Sequence, residues 1–476
     1  MNPPVLVTET PVPSRSFEGP TTAVDPRDSN RVYVAAADLQ RATCHVYRST
    51  DGGASFAELD PPSFGNRTDC GLNRGGLPQN MRMKLVVDPE GVVYWVLAVA
   101  DPAALGARSV VLARSSDGGQ SWRTTTVAEA PVPRSPDEAV ANFVPDVFVD
   151  PFGAAPRRVW VSWRRSFSEA SERTTEGWAA LSDDGGQTFA REVRGIEANP
   201  GFDAPRVVMD DQGTVYWFQR ERPPSPEEGE DAQPSTLLMA RSSDGGRTWE
   251  QGGMGQAEQV MEEPLAAVSP DGGSLYLAWA DGRNGDLDVF FMRSGDQGRT
   301  WSEPLRVNDD PQGNRRSQKW PRMSIAPGGR IDLAWYDYRN DDMDVPEDDV
   351  EFFLGDVNDV YLASSNDGGS TFSENIRVTD GPIDRSVGTY NTQYFVEVPP
   401  GVSSSDAAAV VTWSDTRLAS QVTSAQDIFG ARVELADGET VWLQRAIALS
   451  VTLALVGIGL LVLARRRRSF SKSSTA

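Results

Sequence analysis

The sequence predicts an all-β propeller of seven four-stranded blades, closed by its own N-terminus and followed by one C-terminal transmembrane helix. Three observations predict it. A turn motif, Ser-x-Asp-x-Gly-x-Ser/Thr-Trp/Phe, occurs six times, at Ser49–Phe56, Ser115–Trp122, Ser182–Phe189, Ser242–Trp249, Ser294–Trp301 and Ser365–Phe372. Each copy is embedded in the same succession of short apolar strands, the radial repeat expected of propeller blades. A seventh unit lacks only the motif and its last strand, and a matching strand stands at the start of the chain.

Within a unit, an apolar strand a leads through a Gly or Asp turn into a strand b such as Val32–Asp38 or Leu275–Asp281. A variable loop then leads to a strand c such as Asp288–Ser294, and the motif turns the chain into a strand d such as Thr300–Val307. In the motif, the carboxylates of Asp51, Asp117, Asp184, Asp244, Asp296 and Asp367 can accept backbone N–H bonds inside the turn. The second Gly tolerates positive φ, and the closing aromatic drops into the next strand's packing. The a–b units begin near Gly19, Met81, Val144, Ala204, Glu263, Trp320 and Asn391.

The last unit has a strand b, Ala409–Asp415, and a strand c, Asp427–Val433, with no d strand after them. Val5–Pro11 reads like the d strands Leu305–Pro311 and Ile376–Pro382. Pairing this N-terminal strand into the seventh blade would close the ring and remove its open edges.

Composition narrows the chemistry. The formal net charge of −23 argues against a nucleic-acid partner, whose phosphates demand Lys and Arg. The single histidine, His45, nearly excludes His-dependent triads and His-ligated zinc; a side chain on a strand next to Tyr47 is its expected role. Cys44 and Cys70 both fall in the first repeat, where a disulfide and free buried thiols are competing readings.

Residues 446–464 form an uncharged run of 19, about 28 Å as a helix, followed at once by Arg465–Arg468. The expected organisation is therefore a propeller over 1–437, a juxtamembrane linker at 438–445, a membrane span at 446–464 and a basic cytoplasmic tail at 465–476. The propeller would lie outside the cytoplasm. No signal peptide is visible at Met1–Val5, so export implies a leader upstream of this sequence.

The six motifs resemble the Asp box of the sialidase, or BNR-repeat, superfamily. That resemblance implies a propeller whose Asp boxes are structural turns remote from the site, with function in the loops of the opposite face. Catalytic sialidases are six-bladed, so a count of seven is a departure. An arginine triad for a substrate carboxylate, a Tyr nucleophile helped by a Glu, and an Asp acid/base are the family's parts.

Aligning the starts of the a strands gives one column: Thr21, Arg82, Asp146, Arg206, Leu265, Arg322 and Gln393. Arg82, Arg206 and Arg322 are the candidate carboxylate ligands, since Arg presents a planar fork; pairing with loop acids is the alternative. Asp146, Glu263 and Tyr390 are the candidate catalytic set, although the family's Arg-Ile-Pro signature is missing. Three b strands end in Trp-x-Asp-x-Arg, at Trp279–Arg283, Trp335–Arg339 and Trp413–Arg417, a pattern read as a brace for the loop and the neighbouring blade. In the long acidic loop after Arg339, Asp341, Asp342 and Asp344 suit a hard cation such as Ca²⁺, with a solvated insertion as the alternative; no cofactor is otherwise required. Two functions follow: a surface module recognising glycans or protein partners, or a sialidase-like glycoside hydrolase acting on acidic sugars.

Overall fold

The computed structural model describes residues 3–8, 15–41, 43–64, 83–100, 108–129, 138–169, 172–196, 203–221, 235–257, 264–342, 357–387, 399–419 and 425–435. Their strands form seven antiparallel sheets, each the expected blade. The innermost strands are Phe17–Asp25, Lys84–Val87, Glu138–Val149, Arg206–Met209, Leu265–Val268, Gln318–Ile325 and Gly401–Ser404. Each pairs outward with a second strand: Asp28–Asp38, Val93–Ala100, Val159–Glu169, Val215–Glu221, Leu275–Asp281, Ile331–Asp337 and Ala408–Asp415. Blade 6 gains a fifth strand, Ile383–Asp384, against Val357–Ser365.

The ring closes as the sequence predicts. Val5 and Leu6 pair with Gly430 and Phe429 of the seventh blade, and the Val7 N–H donates to the Ile428 carbonyl at 2.8 Å. Thr8 continues the contact, its hydroxyl accepting from the Ile428 N–H and donating to Asp427. The seventh inner strand is Gly401–Ser404, ten residues beyond the expected start at Asn391, which lies outside the described residues.

The core lies between blades rather than within one. Tyr33 and Val46 of blade 1 cluster with Leu85 and Trp95 of blade 2, and Tyr94 and Leu112 with Val161 and Trp163 of blade 3. The aligned Trp163, Trp279, Trp335 and Trp413 are all at most 2 % exposed, which makes them packing groups.

The Asp boxes are turns held by one carboxylate. In each, the Ser hydroxyl donates to Asp Oδ1 while the second Gly N–H donates to the Ser hydroxyl at 2.8–2.9 Å. The Ser or Thr before the aromatic donates to the same carboxylate through both N–H and hydroxyl. Both glycines take positive φ, and Gln297 adopts 62° where the fifth box lacks its first Gly. The second Gly is also a contact point between blades. A Cβ on Gly119, Gly298 or Gly369 would meet Leu59, Met239 or Phe291 of the preceding blade within 2.6 Å.

These bonds favour the ionised carboxylates. The hydroxyls of Ser55, Ser121 and Thr300 hold Asp51, Asp117 and Asp296 down to about 2, and Asp184 reaches about 2 because its hydrogen bonds outweigh desolvation. A carboxyl depressed in the folded state stabilises above its unfolded value of 3.8 and loses that contribution as pH falls toward 2. The melting temperature is therefore expected to fall between about pH 4 and pH 2. Asp117→Asn should melt lower at neutral pH and lose part of that slope; an unchanged slope would refute the assignment.

The Trp-x-Asp-x-Arg pattern is the expected brace. Trp279, Trp335 and Trp413 donate from Nε1 to Asp281, Asp337 and Asp415 at 2.7–2.8 Å; Arg283 and Arg339 fork onto the first two buried carboxylates, and Arg417 donates to the third from Nη2. Arg339 and Arg417 extend to Asp309 and Asp380 of the preceding blade. Each guanidinium also covers an aromatic ring of its own blade, Phe290, Tyr361 or Phe429, at 4.2–4.5 Å.

Two expectations concern single residues. His45 stands on its strand beside Tyr47, stacked on that ring at 6.4 Å and edged by Phe17 at 5.1 Å, and it bonds Glu58 at 2.6 Å and Thr43 at 2.7 Å. Cys44 is disulfide-bonded; the chain's second cysteine, Cys70, lies outside the described residues. The described strands fall in a compact unit, Met1–Glu434, separate from Leu435–Ala476. Among the described residues no helix is long and apolar enough to cross a membrane, and the expected span at 446–464 lies outside them.

Candidate functional site

Inner strands must present side chains to the axis, and three of them do so through a bulge. Gly19, Val144 and Trp320 adopt φ of 64°, 51° and 60°, each directly before a proline. The ladder slips there, between Glu18 and Thr21, Phe143 and Asp146, and Lys319 and Arg322. Thr21, Asp146 and Arg322 emerge after the slip and line the axial cavities. Positive φ at a β-branched residue such as Val144 costs about 1–3 kcal/mol and concentrates at functional positions.

Register identifies the column. Thr21, Lys84, Asp146, Arg206, Leu265, Arg322 and Gly401 lie opposite Ala35, Val96, Ser162, Phe218, Ala278, Ala334 and Thr412, the same position in every second strand. Five members match the sequence expectation. In blade 2 the level belongs to Lys84 rather than Arg82, and in blade 7 to Gly401 rather than Gln393. A two-residue offset keeps a side chain on the same strand face, so alignment of the sequence alone could not detect it. Arg82 itself lies outside the described residues.

Two neighbouring cavities share part of their lining. One, about 510 Å³ with its solvent mouth included, is lined by Lys84, Asp146, Arg206, Arg322 and the apolar Leu265. The other adds Thr21, Thr22, Pro400 and Gly401 and shares Lys84 and Arg322. Arg206 is buried and pairs with Asp146 at 3.3 Å, while Arg322 Nη1 donates to the Pro321 carbonyl at 2.8 Å. Lys84 is half-buried in the cavity wall. Burial pushes the Lys84 ammonium pKa down, Arg322 and Arg206 push the same way, and Asp146 opposes them.

The structure thus brings together Asp146, Arg206 and Arg322 and adds Lys84, which sequence reasoning missed. Glu263, Tyr390 and Asp344 lie outside the described residues. Asp341 is buried and accepts from the Val357 N–H, whereas Asp342 is exposed. Among the described residues no group of three His, Cys, Asp or Glu is placed to hold a metal ion.

A family model described as a BNR repeat-like domain matches residues 85–382, more than half of the chain. No curated protein matches this sequence. Solved structures similar in fold include the Hadza microbial sialidase Hz136, with 18% identity and a TM-score of 0.47 over 86% of this chain and 75% of that one. A Dyadobacter fermentans protein of unknown function is 14% identical, with a TM-score of 0.46 over 91% and 98% of the two chains. An α-L-arabinofuranosidase of Fusarium graminearum is 12% identical, with a TM-score of 0.45 over 70% and 92%. From the matched model, the six Asp boxes and the closed ring, the chain belongs to the BNR repeat-like domain family, with a sialidase-like propeller of seven blades.

Proposed function

We propose that this propeller is a membrane-tethered surface module that recognises acidic glycans, gripping a ligand carboxylate at the axial mouth opposite the Asp boxes. The observation that carries the reading is the placement of Lys84, Arg206 and Arg322 at one register level in alternate blades 2, 4 and 6. They share a cavity whose described lining offers one carboxylate, Asp146, against three cations. In a chain of net charge −23, such a positive focus would guide an anion to the axis. The apolar run at 446–464 and Arg465–Arg468 support the tether.

Glycoside hydrolysis of acidic sugars is the alternative. Asp146 shares the cavity with the three cations, and Glu263 and Tyr390 would have to supply the partner and the nucleophile. One experiment separates the two: binding and turnover of a fluorescent sialic acid glycoside by wild type, Arg206→Ala and Arg322→Ala. Charge-assisted bonds contribute about 1.5–3 kcal/mol each, so each variant should bind about tenfold or more weakly. Binding without turnover supports recognition, and turnover by wild type supports the enzyme. Equal affinity in all three proteins would refute the site. On intact cells the same probe should bind and be released by added protease; protection until lysis would place the propeller inside.

A further inference from the structure

The chain contains only three lysines, Lys84, Lys319 and Lys472, so 42 of its 45 basic residues (45 − 3) are arginine. Where this protein needs positive charge, it uses guanidinium. Lys84 nevertheless occupies the axial column at the level of Arg206 and Arg322, facing the cavity they line. An arginine there would add a third fork for a carboxylate. A lysine gives up that fork and offers instead the one thing a guanidinium lacks, a nitrogen that can lose its proton and present a lone pair.

We propose that Lys84 is a nucleophilic amine that captures the carbonyl carbon of a 2-oxo acid whose carboxylate is held by Arg206 and Arg322. The inference rests on the reading of the axial cavity as an anion site and names a ligand class for it. A 2-oxo acid carries its two reactive features on adjacent carbons, so one small ligand engages both the arginine forks and the amine. The neutral Nζ attacks the carbonyl carbon and the C=O π electrons move to oxygen. Transfer of a proton from nitrogen to that oxygen gives a carbinolamine, and loss of one water forms the C=N bond. No electrons are gained or lost, and hydrolysis reverses the step. Asp146 is the carboxylate in the described lining of the same cavity.

The surroundings favour this chemistry. Burial and the two guanidiniums depress the Lys84 pKa, the route by which amines in apolar or cationic settings become nucleophiles. Lys319 is an internal contrast, only 1 % exposed and outside the residues that line the axial cavities.

The test is reductive trapping of the purified protein with pyruvate and sodium cyanoborohydride, read by peptide mass spectrometry. The expected result is an adduct on Lys84 forming about tenfold or more faster than on Lys472. It should be slowed by Arg322→Ala, suppressed by excess lactate, which has the carboxylate but no carbonyl, and absent in Lys84→Arg. Lactate binding, measured by calorimetry, keeps the two ideas separable. No Lys84 adduct while lactate still binds, or labelling of Lys84 no faster than Lys472, overturns the lysine proposal and leaves the anion site. Loss of both lactate binding and adduct overturns the anion site and this proposal with it.

Discussion

Deleting residues 1–12 should cost about 4–6 kcal/mol and lower the melting temperature steeply, from the burial of Val7 and the backbone bonds that Val5–Thr8 make. Val7 is 1 % exposed and Thr8 fully buried against the seventh blade. Without them the strand Asp427–Glu434 becomes an open sheet edge. Asp427, fully buried, also loses the Thr8 hydroxyl and is left with Arg15 as its ion-pair partner at 2.6 Å. An unopened edge is a protection against strand addition by other chains, so the truncated protein should also aggregate sooner on heating. Differential scanning calorimetry and light scattering check both; an unchanged melt would mean that the ring does not depend on this closure.

The second large effect is expected at an Asp box, and it separates two roles of glycine. Gly369→Ala forces a Cβ to within 2.1 Å of the Phe291 ring in the preceding blade, at a φ of 80°. A positive φ costs about 1–2 kcal/mol and overpacking about 1–3 kcal/mol more, so a total of about 2–5 kcal/mol is expected. Gly368→Ala has a similar φ of 67°, but its nearest neighbour is the end of the flexible Arg293 side chain at 3.4 Å. It should show only the backbone cost. Neither change should alter affinity at the axial cavity, since the boxes lie on the other face. Equal melting temperatures for the two variants would show that the blade contact does not matter.

Much of this was legible because it is written in local chemistry. A turn that needs Asp, Gly and an aromatic at fixed spacing repeats visibly, and a strand without a partner at one end of the chain can be matched to a vacancy at the other. The Trp-x-Asp-x-Arg brace was legible for the same reason, its three residues being within five positions of one another. What escaped was register. Lys84 stands only two positions from Arg82 in the sequence, a spacing that preserves alternation along a strand, so only the hydrogen-bonded ladder shows that Lys84 shares the level of Arg206. The described part of the seventh inner strand is Gly401–Ser404, and its expected start at Asn391 lies outside the described residues. The signal for Lys84 was present in the composition, as one of three lysines, and a total of Lys plus Arg conceals it.

Closure joins Val5 to Gly430, residues about as far apart as the folded chain allows. During synthesis at about 5–20 residues per second, the N-terminal strand must wait on the order of half a minute or more before its partner leaves the ribosome. The first six blades can assemble in the order they appear, each packing on the one before. The seventh cannot be finished until translation has passed residue 434. Ring formation is thus a late event in synthesis, and until it happens the Val5–Leu6 strand has no partner. A peptide resembling Val5–Thr8, added in excess during refolding, would compete for that vacancy and hold the ring open.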